Sequence, residues 1–247
     1  QTCVTGLFDA QTDIEVVKRR LQRVLHAPIL PECRLTPLEE RDWVRAWMDN
    51  FHPMRFGERL WICPSCQTPP DLAAVNIRLD PGLAFGTGTH PTTALCLEWL
   101  DRANLADKTV LDYGCGSGIL AIAAAKLGAK RVWAVDIDPQ ALLASDSNAS
   151  ENEVEDRIEL AAPAELSATL TVDVVLANIL AGVLVRLAPE LSQRVKPGGK
   201  LVLSGILETH ADAVQAAFIR DFSFDRPQRR EDWVLLEPVD EKHRPLP

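Results

Sequence analysis

The run Val110-Leu111-Asp112-Tyr113-Gly114-Cys115-Gly116-Ser117-Gly118, continued by Ile119-Leu120-Ala121-Ile122-Ala123-Ala124-Ala125, joins a short apolar segment ending on an acid, a glycine-dense turn and an alanine-rich stretch. The change from a compact apolar run to helix-forming composition across a glycine turn predicts strand, loop and helix in that order. Glycines let the backbone turn sharply and approach a ligand closely, and the free amides at a helix start favour a negative group such as a carboxylate. The spacing is G-x-G-x-G. A pyrophosphate-binding fingerprint of the G-x-G-x-x-G type would need glycine at position 119, where Ile119 stands. The loop therefore suits a smaller anion than a dinucleotide.

Outward from this loop, apolar runs alternate with Ala/Leu-rich ones. Strands are expected at Val110-Leu111, Val132 to Val135, Ile158 to Leu160, Val172 to Ala177 and Leu201 to Leu203, with helices near 119–127, 139–149, 181–194 and 208–220. Strands without polar alternation, separated by helices, imply βαβ units and an α/β, doubly wound, mostly parallel sheet covered on both faces. Phe222 to Phe224 and Trp233 to Leu236 are expected to close it as a hairpin-like pair.

In such a sheet ligands bind beyond the carboxyl ends of the strands. The second strand delivers Asp136 there, a carboxylate able to accept hydrogen bonds from both hydroxyls of a ribose, and Asp138-Pro139 then caps the next helix. The fourth strand delivers Asn178-Ile179-Leu180, where an amide oxygen can receive an incoming N–H or tie down its own loop. Ahead of the first strand, Phe85-Gly86-Thr87-Gly88-Thr89-His90-Pro91-Thr92-Thr93 leads into a helix with Pro91 near its start, again an arrangement for an anion or nucleotide.

The N-terminal third is different. The chain opens on Gln1, not methionine, and is read as a fragment or a processed chain; Val4 to Phe8 reads as a strand and Asp13 to Leu25 as an amphipathic helix ended by Pro28. Thr36-Pro37-Leu38-Glu39 has capping-box spacing and starts a helix reaching to about Asn50, with Trp43 and Trp47 on one face.

Composition bounds the function. The 247 residues carry 26 Lys+Arg against 35 Asp+Glu, a net charge of −9, with 47% apolar residues, which excludes a disordered or fibrous chain. Residues 1–70 are charge-balanced, nine basic and nine acidic, so the acid excess lies in residues 71–247. An acidic domain gains no counterion-release attraction to nucleic acid, and a basic protein or cationic cofactor suits it better. The most apolar stretch, 174–185, is shorter than the ~18 residues of a membrane span. Six irregularly spaced cysteines favour a reducing compartment, and a cytoplasmic location is expected.

The Asp112–Gly118 loop followed by Asp136 resembles the S-adenosylmethionine site of the seven-stranded, Rossmann-like class I methyltransferases. The strings Asn50-Phe51-His52-Pro53, Leu79 to Thr93 (LDPGLAFGTGTHPTT) and Ala177-Asn178-Ile179-Leu180-Ala181 are similar to one family within them, PrmA, the methyltransferases of large-ribosomal-subunit protein eleven. The resemblance runs from about Gly6 to the C-terminus. It implies S-adenosylmethionine as methyl donor, held by Thr93, Gly114, Asp136 and Asn178, and multiple methylation of lysine and N-terminal amines on that ribosomal protein. It also implies a small ferredoxin-like α+β recognition domain and a helical linker. Residues 1–35 would hold only part of that small domain, 36–54 the linker and 55–247 the methyltransferase domain, so its first elements are expected to be missing. Asn178 is the residue expected to position the amine. An Asn-Pro-Pro-aromatic motif, which clamps flat amides or adenines in related enzymes, is replaced by Ile179 and Leu180, which favours an aliphatic amine.

Other signals are weaker. Cys63-Pro64-Ser65-Cys66 supplies only two of the four ligands of structural zinc and precedes the βαβ pattern, so no metal is expected. His52 and His90 can satisfy loop carbonyls, and Cys115 suits a small filler of the glycine loop. A class I methyltransferase with another substrate and a non-catalytic S-adenosylmethionine sensor are the competing readings; the intact Asn178 loop argues against the sensor.

Overall fold

The computed structural model describes residues 6, 8–9, 11–26, 52–80, 88–224 and 226–239. Val4, Thr5 and Leu7 of the expected first strand, the capping box at Thr36, the helix carrying Trp43 and Trp47, and residues 81–87 of the Leu79–Thr93 string lie outside them. The chain divides into two units, Gln1–Ala46 and Trp47–Pro247. In the first, the Asp13 carboxylate accepts from the Glu15 amide at 2.9 Å and caps α1 (Ile14–Val24), the helix expected from the apolar spacing.

The second unit opens with a small sheet that the sequence reading did not anticipate, made of β1 (Met54–Phe56), β2 (Leu60–Cys63) and β3 (Val75–Arg78). Two side chains tie it to the rest of the unit. The buried Asp101 carboxylate accepts the Glu58 and Arg59 amides at 2.7 and 3.0 Å, and the Asn152 side chain brackets Arg78, accepting from its N–H at 2.8 Å and donating to its carbonyl at 2.7 Å.

After α2 (Pro91–Arg102) the alternating pattern runs as expected: β4 (Thr109–Tyr113), α3 (Ile119–Lys126), β5 (Arg131–Val135), α4 (Pro139–Glu151), β6 (Ile158–Ala161), β7 (Val172–Asn178), α5 (Ala181–Gln193), β8 (Val195–Leu207) and α6 (Ala211–Phe218). The last pair is β9 (Gln228–Arg230) and β10 (Trp233–Leu236). These strands form one seven-stranded sheet in the order β6-β5-β4-β7-β8-β10-β9, parallel from β6 to β8 and antiparallel beyond. Successive residues of β4 face opposite cores: Val110 joins α2 and α3 on one face, and Leu111 joins α5 and α6 on the other.

One expectation is corrected. Phe222 to Phe224 is no strand: only an isolated bridge joins Phe224 to Pro238, and β10 pairs instead with the polar Gln228–Arg230. Phe224 packs edge-on to Phe218 of α6 at 6.3 Å between ring centres, so burying the aromatic rings against the helix outweighs their strand propensity.

The foot of the sheet is locked by Asp173. Its carboxylate accepts from the Thr109 amide and hydroxyl at 2.9 and 2.5 Å and from the Lys196 ammonium at 3.0 Å, joining β4, β7 and β8. Partial burial acts to raise its pKa, but these donors more than offset that and hold it well below the usual carboxylate range. A depressed pKa contributes stability above the unfolded value of about 3.9 that is lost as pH falls below it. Asp173→Asn is therefore expected to cost about 2 kcal/mol at neutral pH, with the gap to the unsubstituted chain closing below about pH 4 in denaturant titrations.

Candidate active site

β5 lies on one side of β4 and β7 on the other, so the strand order reverses between β4 and β7 and opens a crevice at their carboxyl ends. The three loops predicted to carry chemistry meet there. From β4, the backbone turns at Gly114 with φ +85°, a left-handed value that favours glycine, and the Gly114 and Cys115 amides donate to the Val135 carbonyl at 2.7 and 3.0 Å. From β5, Asp136 accepts the Gly116 amide at 3.0 Å on one carboxylate oxygen and the Asp138 amide at 3.0 Å on the other. That holds the acid against the glycine loop while it stays partly exposed. Asp138 in turn accepts from the Gln140 amide at 2.9 Å and caps α4.

From β7, Asn178 ends its strand and its amide nitrogen donates to the hydroxyl of Thr93 at 3.4 Å, in the first turn of α2. The Asn178 Oδ1 is buried and has no partner among the described residues. Ile179, next in the chain, lies over Gly114: a methyl added at Gly114 would stand 2.3 Å from Ile179 Cγ2. All four residues singled out from the sequence, Thr93, Gly114, Asp136 and Asn178, thus surround one crevice. His90 caps α2, its ring accepting from the Thr92 amide at 3.3 Å and meeting Trp233 edge-on at 4.8 Å. Trp233 is half-buried and pairs with Leu207 at the same edge of the sheet, a contact of His90 that the sequence reading did not single out. A lone tryptophan beginning an apolar strand carries no signal of its own.

Asp112 lies beneath the glycine loop and is wholly buried. One carboxylate oxygen accepts the Ala121 amide at 3.1 Å; the other has no partner among the described residues. Burial pushes its pKa up to about 7, against the lowering effect of the Ala121 hydrogen bond. Cys115 is buried and donates to or accepts from Ser145 at 3.4 Å, and burial raises its thiol pKa, which agrees with a filler and not a nucleophile. No group of three or more His, Cys, Asp or Glu placed to hold a metal occurs among the described residues.

These donors and acceptors fit a cationic nucleoside cofactor. Asp112 and Asn178 each keep a buried oxygen ready for positive charge or an N–H, and Asp136 has lone pairs left at the crevice mouth. A seven-stranded doubly wound sheet with this loop at its switch point defines a class I S-adenosylmethionine-dependent methyltransferase.

The family model of ribosomal protein L11 methyltransferase (PrmA) matches residues 1–241. A ribosomal protein L11 methyltransferase of Haemophilus influenzae is 57% identical over 235 residues, covering 95% of this chain and 80% of the relative. That of Pasteurella multocida is 56% identical over the same shares. Among solved structures, a ribosomal protein L11 methylase from Lactobacillus delbrueckii subsp. bulgaricus superposes with a TM-score of 0.68 at 35% identity, covering 77% of this chain and 99% of that one. A methyltransferase from Pyrococcus furiosus, at 18% identity and a TM-score of 0.53 over 65% of this chain and 87% of that one, shares the fold. The chain belongs to the ribosomal protein L11 methyltransferase family.

The buried Asp112 has a measurable consequence. A cation bound on the loop would favour its ionised form, so cofactor affinity is expected to rise with pH through the range where the free protein's Asp112 loses its proton. An increase of about eightfold between about pH 6 and 7.5 is expected by calorimetry, and Asp112→Asn, which keeps an acceptor for Ala121, should flatten the profile.

Proposed function

We propose that this protein transfers methyl groups from S-adenosylmethionine to lysine side chains and the N-terminal amine of ribosomal protein L11, with Asn178 as the residue that receives the amine. The observation that carries this reading is the Asn178 Oδ1 at the switch point, buried and without a partner among the described residues, one residue from the side chain that covers Gly114. A buried amide oxygen without a donor is costly, and an incoming N–H satisfies it. The cofactor supplies an electrophilic methyl on a sulfonium. Asp136 would accept its ribose hydroxyls, the glycine loop and Thr93 would orient it, and Asp112 would favour its positive charge.

The chain's part in the transfer is alignment. A lysine amine is protonated at neutral pH, with an ordinary pKa near 10.4, so the site has to admit the neutral form. Asn178 Oδ1 can accept one N–H and direct the nitrogen lone pair toward the methyl along the in-line path. Charge favours the same partner. Asp136, Asp138 and Glu208 lie at the carboxyl edge of the sheet, Glu208 paired with Arg229, whereas Lys108, Arg131 and Lys196 lie at the opposite edge, paired with Asp173 or Glu159. An acidic mouth raises the local concentration of a cationic cofactor and a basic protein.

Residues 1–35, 36–54 and 55–247 are proposed to act as recognition segment, linker and catalytic domain. Among the described residues no helix is long and apolar enough to cross a membrane. The test is incubation with labelled S-adenosylmethionine and purified ribosomal protein L11, followed by mass spectrometry. Mass gains in steps of one methyl on lysine and the N-terminal amine are expected; transfer to RNA or small molecules only would overturn the reading.

A further inference from the structure

We propose that Ile179 and Gly205 are positioning residues for methyl transfer: a β-bulge at Gly205 backs the Ile179 backbone so that the Ile179 side chain rests on the glycine loop, which holds Asn178 at its working angle. The proposal rests on Asn178 as the amine acceptor. It starts from an irregularity. In the pairing of β8 with β10, Ile206 faces Val234 and Leu203 faces Leu236, so two residues of β8, Ser204 and Gly205, stand opposite the single Leu235. Gly205 has φ +79°, the left-handed value of a glycine bulge, inside a strand that is otherwise extended. Bulges of this kind bend the strand and re-aim its neighbours.

What the bend approaches is the Asn178 turn. Asn178 is the last residue of β7 to pair with β8, opposite Ser204, so Gly205 sits beside Ile179. A methyl at Gly205 would stand 2.4, 2.7 and 2.9 Å from the Ile179 carbonyl oxygen, carbonyl carbon and amide nitrogen, all backbone atoms that cannot swing away. On its other side, the Ile179 side chain closes on Gly114. Two glycines, one from the cofactor loop and one from the bulge, therefore form a slot just wide enough for Ile179. In the Asn-Pro-Pro-aromatic arrangement the ring-locked φ angles of two prolines stiffen the turn. Here Leu180 precedes α5 as its N-cap without a side-chain cap bond, and tertiary packing of Ile179 takes over that task. The slot also couples the two halves of the site mechanically, because the residue next to the amine acceptor rests on the first glycine of the cofactor loop.

Gly205→Ala tests this, with Gly198→Ala as its partner: Gly198 has φ +74° but nothing within 4 Å of a added methyl, so it carries the backbone strain without the collision. Rates of methyl transfer to ribosomal protein L11, S-adenosylmethionine affinity by calorimetry and melting curves are measured on the full chain. Gly205→Ala is expected to lower kcat about 30-fold with cofactor Kd within about threefold, while Gly198→Ala lowers the melting temperature and keeps kcat. Where Gly205→Ala does not fold, Ile179→Ala is expected to lower kcat about 10-fold and Ile179→Val to restore most of it. Each change is repeated in Asn178→Ala; a positioning role predicts that the loss then vanishes, whereas a purely structural role predicts that it persists. Equal kcat for Gly205→Ala and Gly198→Ala, or a loss that persists without Asn178, would overturn the proposal. A wild-type rate in Asn178→Ala alone would instead overturn the reading of Asn178.

Discussion

Asn178→Ala is expected to slow methyl transfer at saturating substrates about 100-fold, the cost of losing a preorganised acceptor that aligns the nucleophile. Cofactor affinity should change no more than about threefold, because Gly114 and Asp136 remain in place and the amide nitrogen makes only a long contact to Thr93 at 3.4 Å. The split between kcat and Kd is the informative quantity. Single-turnover rates with ribosomal protein L11 alongside calorimetry of the cofactor measure it, and equal losses in both would assign Asn178 to cofactor binding alone.

Asp136→Ala is expected to do the opposite, weakening cofactor affinity about 100-fold or more. The carboxylate accepts two backbone amides of its own loops and is proposed to accept ribose hydroxyls as well, and charge-assisted hydrogen bonds of this type contribute roughly 1.5–3 kcal/mol each. Its removal also releases the Gly116 amide from the loop that covers the crevice. Under saturating cofactor the rate should recover to within about fivefold of the unsubstituted chain, since the amine side of the site is untouched. A kcat loss that saturation does not restore would mean that Asp136 also shapes the reacting geometry.

The central strands, the glycine turn and the caps were legible in the sequence because their causes are local. Val110, Val132 and Val172 lie in strands buried on both faces, Pro91 and Pro139 stand at first helical positions, and Asp138 caps the helix that follows Asp136. The three-stranded sheet over 54–78 was not legible: its strands have three or four residues, too few for periodicity to register, and they are held by Asp101 and Asn152 from distant helices. The closing pair was misplaced for a related reason, since Phe222 and Phe224 find a better burial against α6 than in the sheet, and the charged Gln228–Arg230 segment suits an exposed edge.

By itself the sequence determined the order of elements, the switch-point chemistry of Asp112 to Gly118, Asp136 and Asn178, and the acidic balance of the catalytic part, all of which depend on residue type and neighbours along the chain. Only the tertiary structure decided that Asn178 reaches Thr93, that its oxygen is buried without a partner among the described residues, and that Ile179 is held between Gly114 and Gly205. An isolated glycine in the run Leu203-Ser204-Gly205-Ile206 could signal a close approach, but not to what. Contacts between residues far apart in the chain follow from how the strands register and bulge, and no local pattern encodes that.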